Sequence, residues 1–324
     1  MGYASGPTVL PHFPFDRDTW SMHMGIRALG AGEPLFEVSP ELLDELALKE
    51  RLLRAGPERY VGEVEGSRAQ QWEGLVLALR ILARQQPQHF ELTCDGATWT
   101  FTHRAKGEVT RFEEGNDASL PQAPLDWLGR QIQEDVMVLD ASAPGVPLAA
   151  GSLCFPAMWS LPEKLGLSFA EIHAPVPHFA DKIGRSSQLL LERLKAAHPV
   201  TRTNWGLYPT PRLDLTPDTL PSWQHLADDI DAENAGERVF LRLERQTLTR
   251  LPRTGGILFT IHTWVGPVAD QLVAPERTGR LHGVLASVPE DTQRYKRLAP
   301  FRDALLTWLD RRGAAERQSD AANG

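Results

Sequence analysis

The chain has 324 residues, 42% of them hydrophobic, and a formal net charge of −8 at pH 7. That is enough apolar material for a sizeable core, and too acidic a balance for a non-specific nucleic-acid binder, which needs a basic field. Two cysteines, Cys94 and Cys154, make neither a disulfide framework nor a metal knuckle, and there is neither a secretory start nor a membrane-length apolar run, so a cytoplasmic setting without a membrane partner is expected.

Residues 1–18 are rich in proline and aromatics (Pro7, Pro11, Phe13, Pro14, Phe15) and read as an extended arm. Trp20–Ile26 alternates weakly, like a short strand. Ser39-Pro40-Glu41 supplies a cap, a proline for the first helical position and an acid for the first turn. Leu42, Leu43, Leu46, Leu48, Leu52 and Leu53 then recur near helical spacing and predict a helix through about Arg54. Gly56-Pro57 stops it, and Arg59–Gly62 reads as a turn. A second helix is expected over Ser67–Gln86. Phe90–Cys94 and Thr98–Thr102, flanking Asp95-Gly96, predict a hairpin. A short helix over Leu125–Gln133 and strands over Asp135–Leu139 and Val146–Phe155 follow.

Gly151–Phe179 reads as a strand, a turn, a short helix and an extended arm that carries His173 and ends in Pro175-Val176-Pro177. Each proline fixes its own φ and pushes the preceding residue toward extended geometry. Next come a helix over Ser186–Ala197, a strand over Val200–Leu207, a Pro-rich loop over Thr210–Pro221, and strands over Glu237–Leu248 and Ile257–Val265. Arg280–Val288 is ambiguous, Phe301–Arg311 is a last helix, and 313–324 is disordered by composition. Strands and helices interleave without a steady βαβ rhythm, so the class is α+β with antiparallel hairpins. No linker divides 19–312, which is expected to be one domain.

No Gly-rich nucleotide loop, nucleophile elbow or HExxH helix is present. Three stretches carry candidate chemistry instead. His173 stands in a stiff frame that suits a ligand or catalytic group, and equally a core histidine filling a crevice; with His178 alone it lacks a third ligand for a mononuclear metal. In Thr201-Arg202-Thr203-Asn204-Trp205, Arg202 and Asn204 share one strand face and Thr203 and Trp205 the other. In the strand around Leu241–Leu248, Arg242, Glu244 and Gln246 share a face, while Leu241, Leu243 and Arg245 share the opposite one. A guanidinium among leucines calls for an anionic partner, whereas a solvated edge is the plainer reading of such charges.

Taken together, GSLCFPAMWSLPEKLG, IHAPVP, TRTNW and ERQTLTRLPRTGGILFTIHTW, with SMHMGIRAL and QEDVMVL before them, resemble the haem-dependent oxidative N-demethylase alpha-subunit family over roughly residues 12–270. The resemblance implies haem b in a PAS-like antiparallel sheet flanked by helices. It also implies O2-dependent removal of a methyl group from a small secondary amine such as dimethylamine. Electrons would come from separate subunits carrying FMN and an iron–sulfur cluster. Carried onto this chain, it makes His173 the axial iron ligand and places Arg202, Asn204, Trp205 and Arg250 around the cofactor. Glu244 and Arg245 become the catalytic pair, with Glu244 taking the amine proton or anchoring the amine. His262 and Trp264 stand where the family often has Arg and Tyr, which makes His262 a rival axial ligand. A haem-binding sensor or binding module without turnover is the alternative.

Overall fold

A computed structural model describes residues 8–323. The strands are β1 (Arg27–Ala28), β2 (Val61–Glu63), β3 (Phe90–Asp95), β4 (Thr98–His103), β5 (Glu108–Glu113), β6 (Asp135–Leu139), β7 (Leu148–Ser152), β8 (Val200–Tyr208), β9 (Phe240–Arg250) and β10 (Ile257–Pro267). The helices are α1 (Leu42–Ala55), α2 (Arg68–Gln85), α3 (Pro124–Gly129), α4 (Phe169–His173), α5 (Arg185–Arg193), α6 (Ala235–Arg238), α7 (Val268–Gln271), α8 (Pro275–Ser287), α9 (Glu290–Tyr295) and α10 (Arg302–Asn323). The chain is therefore α+β. Its main sheet has the strand order β1-β8-β9-β10-β6-β7-β2, and a second sheet has the order β3-β4-β5; strand neighbours in both are antiparallel.

The register of β8, β9 and β10 sorts the candidate residues onto two faces. Arg202 pairs with Gln246, Asn204 with Glu244 and Gly206 with Arg242. Gln246 in turn pairs with Ile261, and Glu244 with Thr263. Directly paired residues point the same way, so these lie on one face, here called the front. Arg245, paired with Thr203 and His262, lies on the back.

The front is covered by the long segment between β7 and β8. Met137, Leu139, Leu248, Ile257 and Ile261 of the sheet pack there against Leu153, Leu161, Leu191 and Leu194, with Trp159, Phe169 and Ile172 around them. The back carries two cores. At the β6–β7 side, Val136, Val138, Ala150 and Leu258 meet α2, α3 and the aromatic side of the small sheet (Phe90, Phe101, Phe112). At the β8–β9 side, Leu207, Leu241 and Leu243 meet Leu281, Leu285, Leu305 and Leu309 of α8 and α10.

Several expectations need correction. Trp20–Ile26 is irregular, and the strand falls on Arg27–Ala28, where β8 offers a partner edge. A third strand, β5, completes the hairpin into a sheet. The ambiguous Arg280–Val288 belongs to α8 as far as Ser287. The final helix runs on through Asn323, across the segment that composition marks as disordered. Its Ala, Glu, Arg and Gln content favours helix, and an Arg312–Glu316 ion pair at 2.9 Å spans one turn of it. Residues 8–18 of the expected N-terminal arm contain no helix or strand, and residues 1–7 lie outside the described residues.

The expected extended arm around His173 is instead helical. Ser168 Oγ accepts from Glu171 N at 3.3 Å, and Glu171 Oε2 accepts from Ser168 N at 2.8 Å, forming a capping box that opens α4. His173 is the last residue of that turn. Ala174 stays helical at φ −53° and ψ −35° although Pro175 follows. Reverse turns close through Val176 N to His173 O and Phe179 N to Val176 O, and a π-helical turn, Ala180–Gly184, leads into α5. The two local bonds of the capping box outweigh the pre-proline preference.

Candidate functional site

His173 is held from behind. Its Nδ1 lies 2.8 Å from the Phe169 carbonyl, one helical turn back. The ring stacks on Phe179 at 4.5 Å and leans on Phe169 at 4.3 Å. Because a carbonyl only accepts, Nδ1 carries the proton, and Nε2 is left as a lone-pair donor atom with no hydrogen bond among the described residues. Burial pushes its pKa down to about 4 against the Phe169 carbonyl bond, with the charges of Arg202 and Lys164 lowering it further. The imidazole is thus neutral at pH 7, oriented, and on the front of the sheet.

Glu244 is the centre of the polar part of that face. Its Oε1 accepts from Arg242 Nε at 3.2 Å, and its Oε2 accepts from Asn204 Nδ2 and Gln246 Nε2, each at 3.2 Å. Arg242 is spent entirely on the frame: its other nitrogens donate to the carbonyls of Leu213 and Phe155 and to Thr263 Oγ1. Arg202 donates from Nε to Met24 O and from Nη1 to Gln246 Oε1, both at 2.9 Å, and its Nη2 forms no bond among the described residues. Burial lowers the Arg202 pKa and the Glu244 charge opposes that.

Two segments rim the face. Lys296, just past α9, donates to the Trp205 carbonyl at 2.7 Å and lies 4.2 Å from the Trp205 ring centroid. Its pKa is pushed down to about 8 by burial, with Glu244 opposing and Arg202 assisting. Tyr295, half exposed, has its pKa raised by burial and by the Glu244 charge. His178 Nε2 meets Asp291 at 2.9 Å, joining the His173 segment to the start of α9. His178 and Arg297, on these segments, hold positive φ without being glycine. Such backbone persists only where its surroundings over-determine it, and it clusters at binding sites.

The remaining expected residues divide. Arg250 shares the front face, but its Nη1 donates to the Leu191 carbonyl at 3.2 Å and so ties down α5. Trp205 turns its ring to the back, where Phe15 meets it at 4.9 Å. Arg245 is also on the back, donating to the carbonyls of Leu35 at 3.2 Å and Pro34 at 2.5 Å. His262 stands beside it, 1% exposed, with Nδ1 3.2 Å from Glu134 Oε1 and its ring stacked on Trp264 at 4.2 Å. Burial works against its charged form, but Glu134, with Glu45 and Glu37 beyond it, leaves the pKa raised. The structure therefore brings together His173, Arg202, Asn204 and Glu244, and separates them from Arg245, Trp205 and His262 by the thickness of the sheet. Alternation along β9 also marks Arg242 and Gln246 as members of the front face. Lys296 carries no sequence signal, since only tertiary packing brings it there.

The front of the sheet thus carries an oriented neutral imidazole and, on β9, a hydrogen-bonded carboxylate. The sequence profile of the family described as "Haem-dependent oxidative N-demethylase, alpha subunit-like" matches residues 25–306, and the chain belongs to that family. The family name implies haem. The donor set fits it: His173 Nε2 as a free neutral nitrogen ligand, fixed by a bond from its other nitrogen to a carbonyl, and Arg202 with an unspent donor for a carboxylate edge.

Proposed function

We propose that this chain is a haem-dependent monooxygenase that oxidatively removes a methyl group from a small secondary amine such as dimethylamine. Per turnover, the amine, O2, two electrons and two protons would give the shortened amine, formaldehyde and water. The reading extends the family membership to a substrate. It is carried by one observation: His173, neutral and with Nε2 free, lies on the same sheet face as Arg202, Asn204 and Glu244. The antiparallel sheet with helices on its flanks supports a PAS-like description. The electrons would come from a separate flavin and iron–sulfur reductase, in keeping with the alpha-subunit name.

In this reading His173 Nε2 would hold the iron of a haem b. Bound haem would supply O2 activation. The rest of the work falls to the chain. Arg202 Nη2 would hold a propionate. Glu244 orients the amine: a carboxylate has roughly four acceptor sites, and three are taken by Arg242, Asn204 and Gln246. One site is left to accept an amine N–H. Asn204 and Gln246 fix the carboxylate plane, so the amine is held in one orientation. His178–Asp291 ties the His173 segment to the start of α9.

A second reading, a haem-binding sensor or module without turnover, is favoured by the same crowding of Glu244. Incubating the haem-loaded chain with dimethylamine, O2 and a reductant separates the two: the enzyme releases formaldehyde, and the sensor does not.

A further inference from the structure

Tyr208, the last residue of β8, lies on a glycine of its own strand. It shares the front with Arg202, Asn204 and Gly206, because alternate residues of a strand point the same way. A β-carbon built on Gly206 would stand 2.7 Å from Tyr208 Cε2 and 3.2 Å from both Cζ and Oη. Glycine leaves the ring room to fold back along the strand, and the phenol hydroxyl takes the place where a side chain at 206 would begin. That place lies between Asn204, two residues back, and Arg242, directly across in β9. Both of these side chains donate to Glu244, each at 3.2 Å. Tyr208 is 8% exposed, clustered with Leu215 and edge-on to Trp223 at 6.0 Å. Trp223 is no partner for it, since its Nε1 donates to Thr219 Oγ1 at 3.1 Å. Tyr60, also buried, donates to Asp214 at 3.0 Å, whereas Tyr208 Oη forms no hydrogen bond among the described residues. Tyr295 is half exposed, so water can serve its hydroxyl. Burial raises the Tyr208 pKa, with Arg242 opposing and Glu244 adding, so the O–H keeps its proton at pH 7. A hydroxyl withdrawn from water and left without a partner costs free energy, and in a ligand face it is a place for a ligand atom.

We propose that Tyr208 is a specificity-determining residue whose hydroxyl forms the second hydrogen bond to the nitrogen of the amine that Glu244 holds. This rests on the reading of the Glu244 face as the amine site and deepens it. Glu244 alone supplies one remaining acceptor site and does not count the substituents on nitrogen. A hydroxyl both donates and accepts. A secondary amine has two polar positions at nitrogen in either protonation state: an N–H and a lone pair when neutral, two N–H groups when charged. A tertiary amine has one, a lone pair when neutral or a single N–H when charged. The pair of Glu244 and Tyr208 is therefore matched to a secondary amine. A tertiary amine leaves one of the two without a partner, and a site built to make a hydrogen bond rejects a ligand that cannot make it.

The test titrates dimethylamine and trimethylamine by calorimetry into the full chain, as purified and with haem added, as wild type, Tyr208→Phe and Gly206→Ala. The wild type should bind dimethylamine more tightly by about tenfold or more, the worth of one hydrogen bond made and one left unmade. Phenylalanine keeps the ring, and with it any steric bias against the third methyl group. Tyr208→Phe should therefore weaken dimethylamine by about tenfold, change trimethylamine much less, and collapse the ratio between them. Gly206→Ala keeps the hydroxyl but displaces the ring, and should lower the ratio too. The proposal is overturned if the wild type does not discriminate, or if Tyr208→Phe keeps the wild-type ratio. Formaldehyde release from dimethylamine separates this outcome from the broader one. Release by the wild type together with an unchanged ratio in Tyr208→Phe removes the role of the hydroxyl alone. Failure of the wild type to bind either amine removes the amine reading and this proposal with it.

Discussion

Arg245 and His262 are cross-strand neighbours on the back of the main sheet, with the sheet between them and His173. His262 Nδ1 meets Glu134, while its buried Nε2 has no partner among the described residues. Arg245 ties Pro34 and Leu35 to β9 and lies 3.7 Å from Glu37. Replacing Arg245 with Ala leaves these carbonyls and a partly buried acid without their partner. The expected loss is about 3 kcal/mol or more of unfolding free energy, read by guanidinium denaturation. A stability unchanged within error would remove Arg245 from the frame.

Lys49 is 1% exposed and donates to the carbonyls of Ile132 at 3.2 Å and Glu134 at 2.6 Å, with Asp135 at 3.4 Å. Asp135 also accepts from the backbone of Cys154 and Phe155, both at 2.8 Å. Burial raises its pKa, and Lys49 is the leading influence against that. Lys49→Met should therefore cost about 3–5 kcal/mol. Lys49→Met combined with Asp135→Asn should cost less than the sum of the two single changes, because the second removes the charge left bare by the first. A double-mutant cycle by chemical denaturation measures this, and strict additivity would contradict the pairing.

Glu45, on α1, faces the same buried cluster as His262, with Gln133, Lys49 and Glu41 about it. Burial pushes its carboxyl up to about 7, opposed first by the His262 charge and then by the Gln133 hydrogen bond. In the unfolded chain a glutamate titrates near ~4.3. Between those values the folded state holds a proton that the unfolded state has released. The stabilisation is thus fully present below the unfolded value and is lost as pH rises toward 7. Glu45→Gln should flatten that decline and be more stable than wild type at pH 8, by on the order of 3 kcal/mol at most. Thermal melts from pH 4 to 8 decide it; parallel curves for the two proteins would contradict the shift.

The Glu244 carboxylate predicts a different signature. Glu244→Gln keeps the shape but turns an acceptor into a neutral amide beside Arg242, Asn204 and Gln246. Amine turnover should fall by at least about tenfold, as expected when a positioning charged hydrogen bond is lost, with haem uptake retained. Formaldehyde release and the visible spectrum are the paired readouts. Undiminished turnover would remove Glu244 from substrate binding.

What the sequence makes legible follows the range of the forces involved. The long alternating strands β8, β9 and β10 are placed to within a few residues because alternation and β-branched content are local. Their parity also gives the split between Glu244 and Arg245. The opposition of His173 and His262 across the sheet is not legible, since it depends on the register across the Leu251–Gly256 turn and on how the segment after β7 folds back. The helical setting of His173 was present as Ser168-x-x-Glu171, a capping-box spacing that the prolines beyond it overshadow. Lys296 reaches the site only by packing of α9 against the edge of β8. No local pattern records that contact.

The central claim is that His173, and not His262, offers its nitrogen to the haem iron. The direct measurement is the visible absorption spectrum of the haem-reconstituted full chain as wild type, His173→Ala and His262→Ala. A Soret band that survives in His262→Ala but is lost or displaced in His173→Ala, and that returns toward the wild-type spectrum with added imidazole, is the predicted result. A His173→Ala spectrum identical to wild type, or a displacement confined to His262→Ala, would contradict it.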